Sequence, residues 1–312
     1  MPLPIPQQLI DSVSADVARA KRPLLVVLGP TASGKTAFSI ALAHAIGKAE
    51  IVNADSRQLY KELDIGTTKV TEEEMQGVPH HLIDVLDPRE SLTVAWYRDR
   101  AFAKIDELHS RGMVPILVGG SMLYISAIID GLSLVESVDA ELRARLQDEY
   151  ARDGGQSLYA RLREVDPETA ESFHQNNMPY VVRAMEIYEA TGEKPSQRKR
   201  KSDCPYDLTI LGMEWPREDL RKRIDARTEE LFARGWIAEV QSLLDRGYTR
   251  ENPGMVSSGY REIIDFLAKK GPATEGELHA DITAKTRKYA KRQMTWWRGD
   301  ERIQWIPYAL SE

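Results

Sequence analysis

The stretch "LLVVLGPTASGKT" (residues 24–36) decides how the rest of the chain is read. Its apolar start is a buried-strand candidate, and the octet that follows fits G-x-x-x-x-G-K-[ST]. Phe38, Ala41, Leu42, Ala45 and Ile46 then recur at helical spacing. Strand, glycine loop and helix in that order form the setting in which this motif wraps backbone N–H groups around a chain of phosphates. Gly29 and Gly34 permit the tight turns, and Thr31, Ala32 and Ser33 complete the cradle. Lys35 neutralises phosphate oxygens, and the Thr36 hydroxyl is a ligand for Mg²⁺. The motif identifies a diphosphate or triphosphate without saying which.

Three further segments read as strands: "EIVNAD" (50–55), "MVPILVGG" (113–120) and "DLTILGME" (207–214). Helical stretches separate them, which predicts an α/β fold of P-loop NTPase type: a mainly parallel sheet flanked by helices. Ligands on such sheets gather at the carboxyl ends of the strands. The phosphate loop, Asp55 and Ser121 are all expected there. Residues 136–203 change character, being helical and charged with no strand pattern. We read them as a helical insertion domain within a core formed by 1–135 and 204–312.

The composition is that of an ordinary globular protein: 312 residues, 42% hydrophobic and 29% charged. One cysteine, Cys204, excludes an internal disulfide and a Cys-based zinc site. We find neither a secretory signal nor an apolar run near the roughly 18 residues a membrane span requires. The expectation is a cytoplasmic monomer. A net charge of −6 hides local basic faces. Residues 282–299 carry six basic side chains and no acid, and "RKRK" occupies 198–201. On the first of these, Arg287 and Lys291 share a face, as do Lys288 and Arg292, with Tyr289, Trp296 and Trp297 among them. Such interleaving suits a nucleic-acid backbone with stacked bases, although a solvated face over core tryptophans has the same pattern.

The acid that ATPases place after a strand to hold Mg²⁺ is missing, since "PILV" runs into Gly119, Gly120 and Ser121. Ser121 suits an anion site or simply a helix cap. Asp55, opening "DSRQLY", is equally a proton acceptor or a cap. His80 and His81 are adjacent and point to opposite faces of an extended segment, which favours hydrogen-bonding roles over metal ligation.

Taken together the segments resemble the tRNA dimethylallyltransferase (tRNA isopentenyltransferase) family, bacterial type. The resemblance runs in order through "GPTASGKT", "DSRQLY", "DIGTTK", "PHHLIDVLDP", "PILVGGSMLY", "RAMEIYEATG", "GYREI" and "TRKYAKRQMTW", from about residue 24 to 298. It implies transfer of a dimethylallyl group from dimethylallyl diphosphate to N6 of the adenosine 3′ of the anticodon in tRNA. Asp55 would then be the catalytic base. Lys35, Ser121, Arg223 and Mg²⁺ would stabilise the leaving diphosphate. Ser56 and Gln58 would lie beside the target base, and Arg143, Arg183, Arg287, Lys291 and Arg292 would contact the tRNA anticodon stem-loop. Two departures stand out: Ser121 replaces the family's threonine, and Met178 and Tyr180 interrupt its N-D-x-x-R pattern. A free-nucleotide (AMP or ATP) prenyltransferase is the nearest alternative, but it has no use for the basic helix. An ATP-dependent small-molecule kinase is a more distant one, and a tRNA-binding protein without catalysis is a third.

Overall fold

The computed structural model describes residues 5–132, 140–198 and 203–308. The first half of the chain forms α1 (Gln7–Arg19), β1 (Pro23–Leu28), α2 (Lys35–Ile46), β2 (Ala49–Asn53), α3 (Glu72–Met75), β3 (His80–His81), α4 (Val94–Ser110), β4 (Val114–Gly119) and α5 (Met122–Ile129). A helical run follows: α6 (Ala140–Asp153), α7 (Gln156–Val165), α8 (Pro167–Glu171), α9 (Met178–Thr191) and α10 (Pro195–Arg198). The chain then returns through β5 (Asp207–Glu214), α11 (Arg217–Ala233), α12 (Trp236–Asp245), α13 (Tyr260–Leu267), α14 (Glu275–Trp297) and β6 (Ile303–Pro307).

The sheet has the order β3-β2-β4-β1-β5-β6, and every pairing is parallel. Strand β1 is buried almost throughout because it lies inside the sheet with both faces covered, which is why its sequence is continuously apolar rather than alternating. Val27 and Leu25 pack with Phe38, Leu42 and Ala43 of α2 in the main core. Ala45, placed on that helix's apolar face by its spacing, is exposed instead, and Ser39 and Ile40 are buried. Two strands escaped the sequence reading. β3 has two residues, and β6 is a short strand beside β5.

The chain divides into two compact units, one of Met1–Leu92, Trp96–Ile125 and Pro205–Glu312, the other of Thr93–Ala95 and Ser126–Cys204. The division falls inside α5, whereas the sequence pattern placed the start of the insertion at 136, a position outside the described residues, as is the basic run at 199–201. The helical unit has its own core of Leu146, Leu158, Leu162, Val181 and Met185. No helix among the described residues is long and apolar enough to cross a membrane.

Candidate active site

The parallel sheet delivers its loops to one edge. Gly34 precedes α2 with φ 87°, a left-handed conformation that glycine takes without strain and that turns the chain into the helix. The Lys35 ammonium donates to the Pro30 carbonyl at 2.7 Å. Burial, with the charge of Arg227 nearby, pushes Lys35 down to about 7, while Asp55 opposes the shift. Lys35 and Thr36 line a cavity of about 100 Å³ together with Thr31, Asp55, Gln58, Gly119, Gly120 and Arg227. A larger cavity of about 630 Å³ shares Thr31, Asp55, Arg227 and Tyr289 with it, and adds Ser56, Ser121, Trp236, Lys288 and Arg292.

Asp55 is therefore common to both spaces. It sits two residues past β2, where its backbone N–H donates to Asn53 Oδ1 (2.9 Å) and its own Oδ1 accepts from the Arg57 N–H (2.9 Å). One carboxylate oxygen thus caps a turn, and the other has no partner among the described residues. Of the two readings of "DSRQLY", the cap is the one these bonds display, and it closes a turn. Gln58 donates to the Thr67 and Thr68 carbonyls at 3.1 Å each, so its amide is engaged in holding the "DIGTTK" turn.

At the end of β4, a Cβ on Gly119 would stand 2.2 Å from the Ala54 carbonyl oxygen, so only glycine lets β2 and β4 approach this closely. Ser121 is 8% exposed. Its hydroxyl accepts from the Ser56 N–H (2.9 Å) and donates to Ser56 Oγ (3.2 Å), which ties the β4–α5 turn to the segment carrying Asp55.

Arg223 was the arginine expected at the diphosphate. It lines neither cavity: its Nε donates to the Ala32 carbonyl at 2.7 Å and its guanidinium lies 4.3 Å from the Trp215 ring centroid. It braces the loop from its backbone side. The position facing the cavities belongs to Arg227, one helical turn further on. Arg227 donates to Thr31 Oγ1 at 2.8 Å and also to Thr68 Oγ1. Residues four apart share a helix face, so Arg223 and Arg227 were both compatible with the spacing, and what separates them is their position along the axis of α11 relative to the loop.

Gln293 is a second residue that the sequence did not single out. Only 1% exposed in the middle of the basic helix, it accepts from the Thr31 N–H (2.9 Å) and donates to the Gly120 carbonyl (2.8 Å). Thr31 is therefore held through both its amide and its hydroxyl before any ligand is considered. Tyr289 also reaches the Gly120 carbonyl (3.3 Å), and burial followed by the Asp55 charge pushes its hydroxyl up to about 12.

The other expected contacts are mixed. His81 pairs with the buried carboxylate of Glu50 at 2.6 Å. His80 donates from Nδ1 to the Val78 carbonyl (2.8 Å) and lines the smaller cavity, its Nε2 buried without a partner. Arg287 forms a two-point pair with Asp225, whereas Lys291 and Arg292 are exposed, the latter 5.7 Å from the Tyr289 ring. Trp297 is buried and Trp296 half exposed, so the aromatic pair serves core and surface alike. In the helical unit Arg143 and Arg183 both pair with Glu186, which is 0% exposed. Those two pairs hold the Glu186 carboxyl below its usual value against the opposing effect of burial.

Among the described residues no group of three His, Cys, Asp or Glu side chains could hold a metal by itself. The donor set at the loop, one exposed Thr36 hydroxyl and one carboxylate in the same cavity, fits Mg²⁺ held mainly by water and phosphate oxygens.

A family model for IPP transferase matches residues 58–300. The tRNA dimethylallyltransferase of Symbiobacterium thermophilum is 45% identical over 289 residues, covering 92% of this chain and 89% of that protein. The full-length tRNA isopentenylpyrophosphate transferase of Bacillus halodurans has 38% identity and a TM-score of 0.70, covering 94% of this chain and 92% of the other. A eukaryotic dimethylallyltransferase acting on tRNA superposes with a TM-score of 0.79 at 28% identity, over 92% of this chain and 74% of its own.

Proposed function

The chain belongs to the IPP transferase family, and on that premise we propose that it transfers a dimethylallyl group from dimethylallyl diphosphate to N6 of the adenosine 3′ of the anticodon in tRNA. The observation that carries this reading is that Asp55 lines both cavities, one shared with the phosphate loop and one large enough for a nucleobase. In the reaction the bond from N6 to the allylic carbon forms and the bond from that carbon to the diphosphate oxygen breaks. The N6 proton goes to the Asp55 carboxylate, and the electron pair leaves with the diphosphate. An exocyclic amine is a poor nucleophile because its lone pair is delocalised into the ring, so removing that proton late in the step is where a fixed carboxylate helps.

Charge builds on the leaving diphosphate, and fixed donors already aimed at that position stabilise it without reorganising. Lys35 and Arg227 would be those donors, with the N–H groups of residues 32 and 34–36, since the Ser33 N–H donates to the Pro30 carbonyl (3.3 Å). Arg223 acts one layer back, fixing the Ala32 carbonyl. Mg²⁺ held at Thr36 would neutralise phosphate oxygens. Ser121 positions Ser56 and, through it, the turn of Asp55. The adenosine has to leave its stack to reach the carboxylate, which is base flipping. Arg292, Lys291 and Lys288 would hold the anticodon stem-loop, and Arg143 and Arg183 of the helical unit would contact the tRNA backbone.

A free-nucleotide prenyltransferase shares the chemistry but not the need for this basic surface. The deciding experiment supplies labelled dimethylallyl diphosphate and Mg²⁺ with unmodified tRNA, and separately with AMP, followed by mass spectrometry of the digested nucleosides. Label on a single adenosine next to the anticodon is expected. Label on AMP alone would transfer the assignment to the free-nucleotide enzymes, and label on neither would reopen ATP as donor.

A further inference from the structure

We propose that Gln293 is a positioning residue that sets the distance between the leaving-group side and the base side of the site. The observation is a two-ended bridge. Gln293 Oε1 takes the Thr31 N–H of the phosphate loop at 2.9 Å, and its Nε2 gives a hydrogen to the Gly120 carbonyl at 2.8 Å. Only one orientation of the amide satisfies an N–H on one side and a carbonyl on the other, so the assignment of oxygen and nitrogen follows from the partners.

The approach is close enough to dictate its neighbour. A Cβ on Gly120 would lie 2.4 Å from Gln293 Nε2, so any larger residue there would evict the amide. Gly120 in turn precedes Ser121, whose N–H donates to the Ala54 carbonyl (3.3 Å) and whose hydroxyl is bonded to Ser56. A continuous path thus runs from Thr31 through Gln293, Gly120 and Ser121 to the residues on either side of Asp55. Thr31 also holds Arg227 through its hydroxyl. One buried amide therefore links Thr31 of the loop, and Arg227 through it, to the segment that carries Asp55.

A second consequence concerns the loop itself. With its N–H occupied by a side chain, Thr31 has no amide to offer a phosphate. The Ser33 N–H is likewise taken by the Pro30 carbonyl (3.3 Å), so the loop binds through the N–H groups of residues 32 and 34–36 and through cations, and the geometry of Gln293 fixes where that shortened cradle sits. Misplacement of reacting groups by about 1 Å can cost roughly 100-fold in rate. Loss of this bridge is for that reason a loss of turnover more than of binding.

The inference rests on the prenyl-transfer reading for its kinetic arm only. Gln293→Met keeps the length and packing of the side chain and removes both bonds. Gln293→Glu keeps an acceptor for Thr31 and removes the donor to Gly120. Amide hydrogen exchange of peptides covering 29–36 and 119–124 is measured without substrates, and kcat and KM are measured with tRNA and dimethylallyl diphosphate. In the Met variant we expect faster exchange in both peptides, and kcat lowered by about 30-fold or more with KM for tRNA within about threefold. In the Glu variant we expect faster exchange in 119–124 alone. If one variant fails to fold, the exchange pattern of the other decides. Exchange matching the wild type in the folded variants, or kcat within threefold of it, would reduce Gln293 to a packing residue. Should the wild type itself show no transfer to tRNA, the functional reading fails while the exchange measurement still tests the bridge.

Discussion

Arg227 Nη1 stands 2.8 Å from Thr31 Oγ1, bringing a cation from α11 onto the phosphate loop 196 residues away in sequence. The guanidinium is partly desolvated there, and burial lowers its pKa against the pull of Asp55. A charge held in that condition gains most when an anion arrives. Replacing Arg227 by Gln is expected to lower kcat/KM by roughly 100-fold to 1,000-fold, the cost of losing one preorganised donor to a developing anion. Arg223→Gln, which loosens the loop without removing a facing charge, is expected to stay within about tenfold of wild type on the same scale. Steady-state kinetics on the two variants side by side checks the order. Equal losses would place both arginines on the diphosphate.

The contrast between these two arginines shows what the sequence does and does not carry. The phosphate loop was legible because its chemistry depends on glycine and lysine at fixed covalent spacing, and a strand and helix flank it. Asp55 and Ser121 were legible because strand ends on a parallel sheet converge. Arg227 was not, because helix periodicity gives a face and not how far along its axis that face meets a neighbour. Gln293 was hidden by its surroundings, a neutral side chain in a basic run whose burial depends on α14 packing against α11 through Ile224 and Ala290. The pairing of Arg143 with Glu186 joins α6 to α9 and has no local signature.

Lys35 carries a pH signature. Its pKa in the folded chain, about 7, lies below the ordinary lysine value of 10.5 that it regains on unfolding. Between those values the unfolded chain binds more protons, so this group makes stability rise with pH from about 7 toward 10.5, and below 7 its burial penalty is fully present. Lys35→Met removes the penalty. Urea unfolding without diphosphate should therefore find the variant more stable than wild type at pH 6, with the difference shrinking as pH climbs through 8 and 9. A pH-independent difference would mean that the lysine titrates normally.

Asp55→Asn preserves an oxygen for the Arg57 N–H, so the turn should survive. It removes the carboxylate proposed to accept the N6 proton. The expected result is a kcat lower by roughly 100-fold to 10,000-fold, the usual span for general-base catalysis, with tRNA affinity nearly unchanged. Filter binding and single-turnover kinetics separate the two effects. Near-normal turnover would remove Asp55 from the base role.

The arginines of the helical unit give a test that needs no chemistry. Arg143 and Arg183 each pair with Glu186 while keeping their own side chains half exposed, at 51% and 38%. A buried carboxylate that orients two partly exposed cations is well arranged to present them to a polyanion. If they meet tRNA phosphates, Arg143→Ala should weaken binding and reduce the slope of log K against log salt by about 1, as Lys291→Ala should on α14. Glu186→Gln should leave both arginines charged but less fixed, lowering the melting temperature while keeping most of the salt slope. An Arg143→Ala slope equal to that of wild type would confine this arginine to its ion pair and leave tRNA binding to the surface around Lys291 and Arg292.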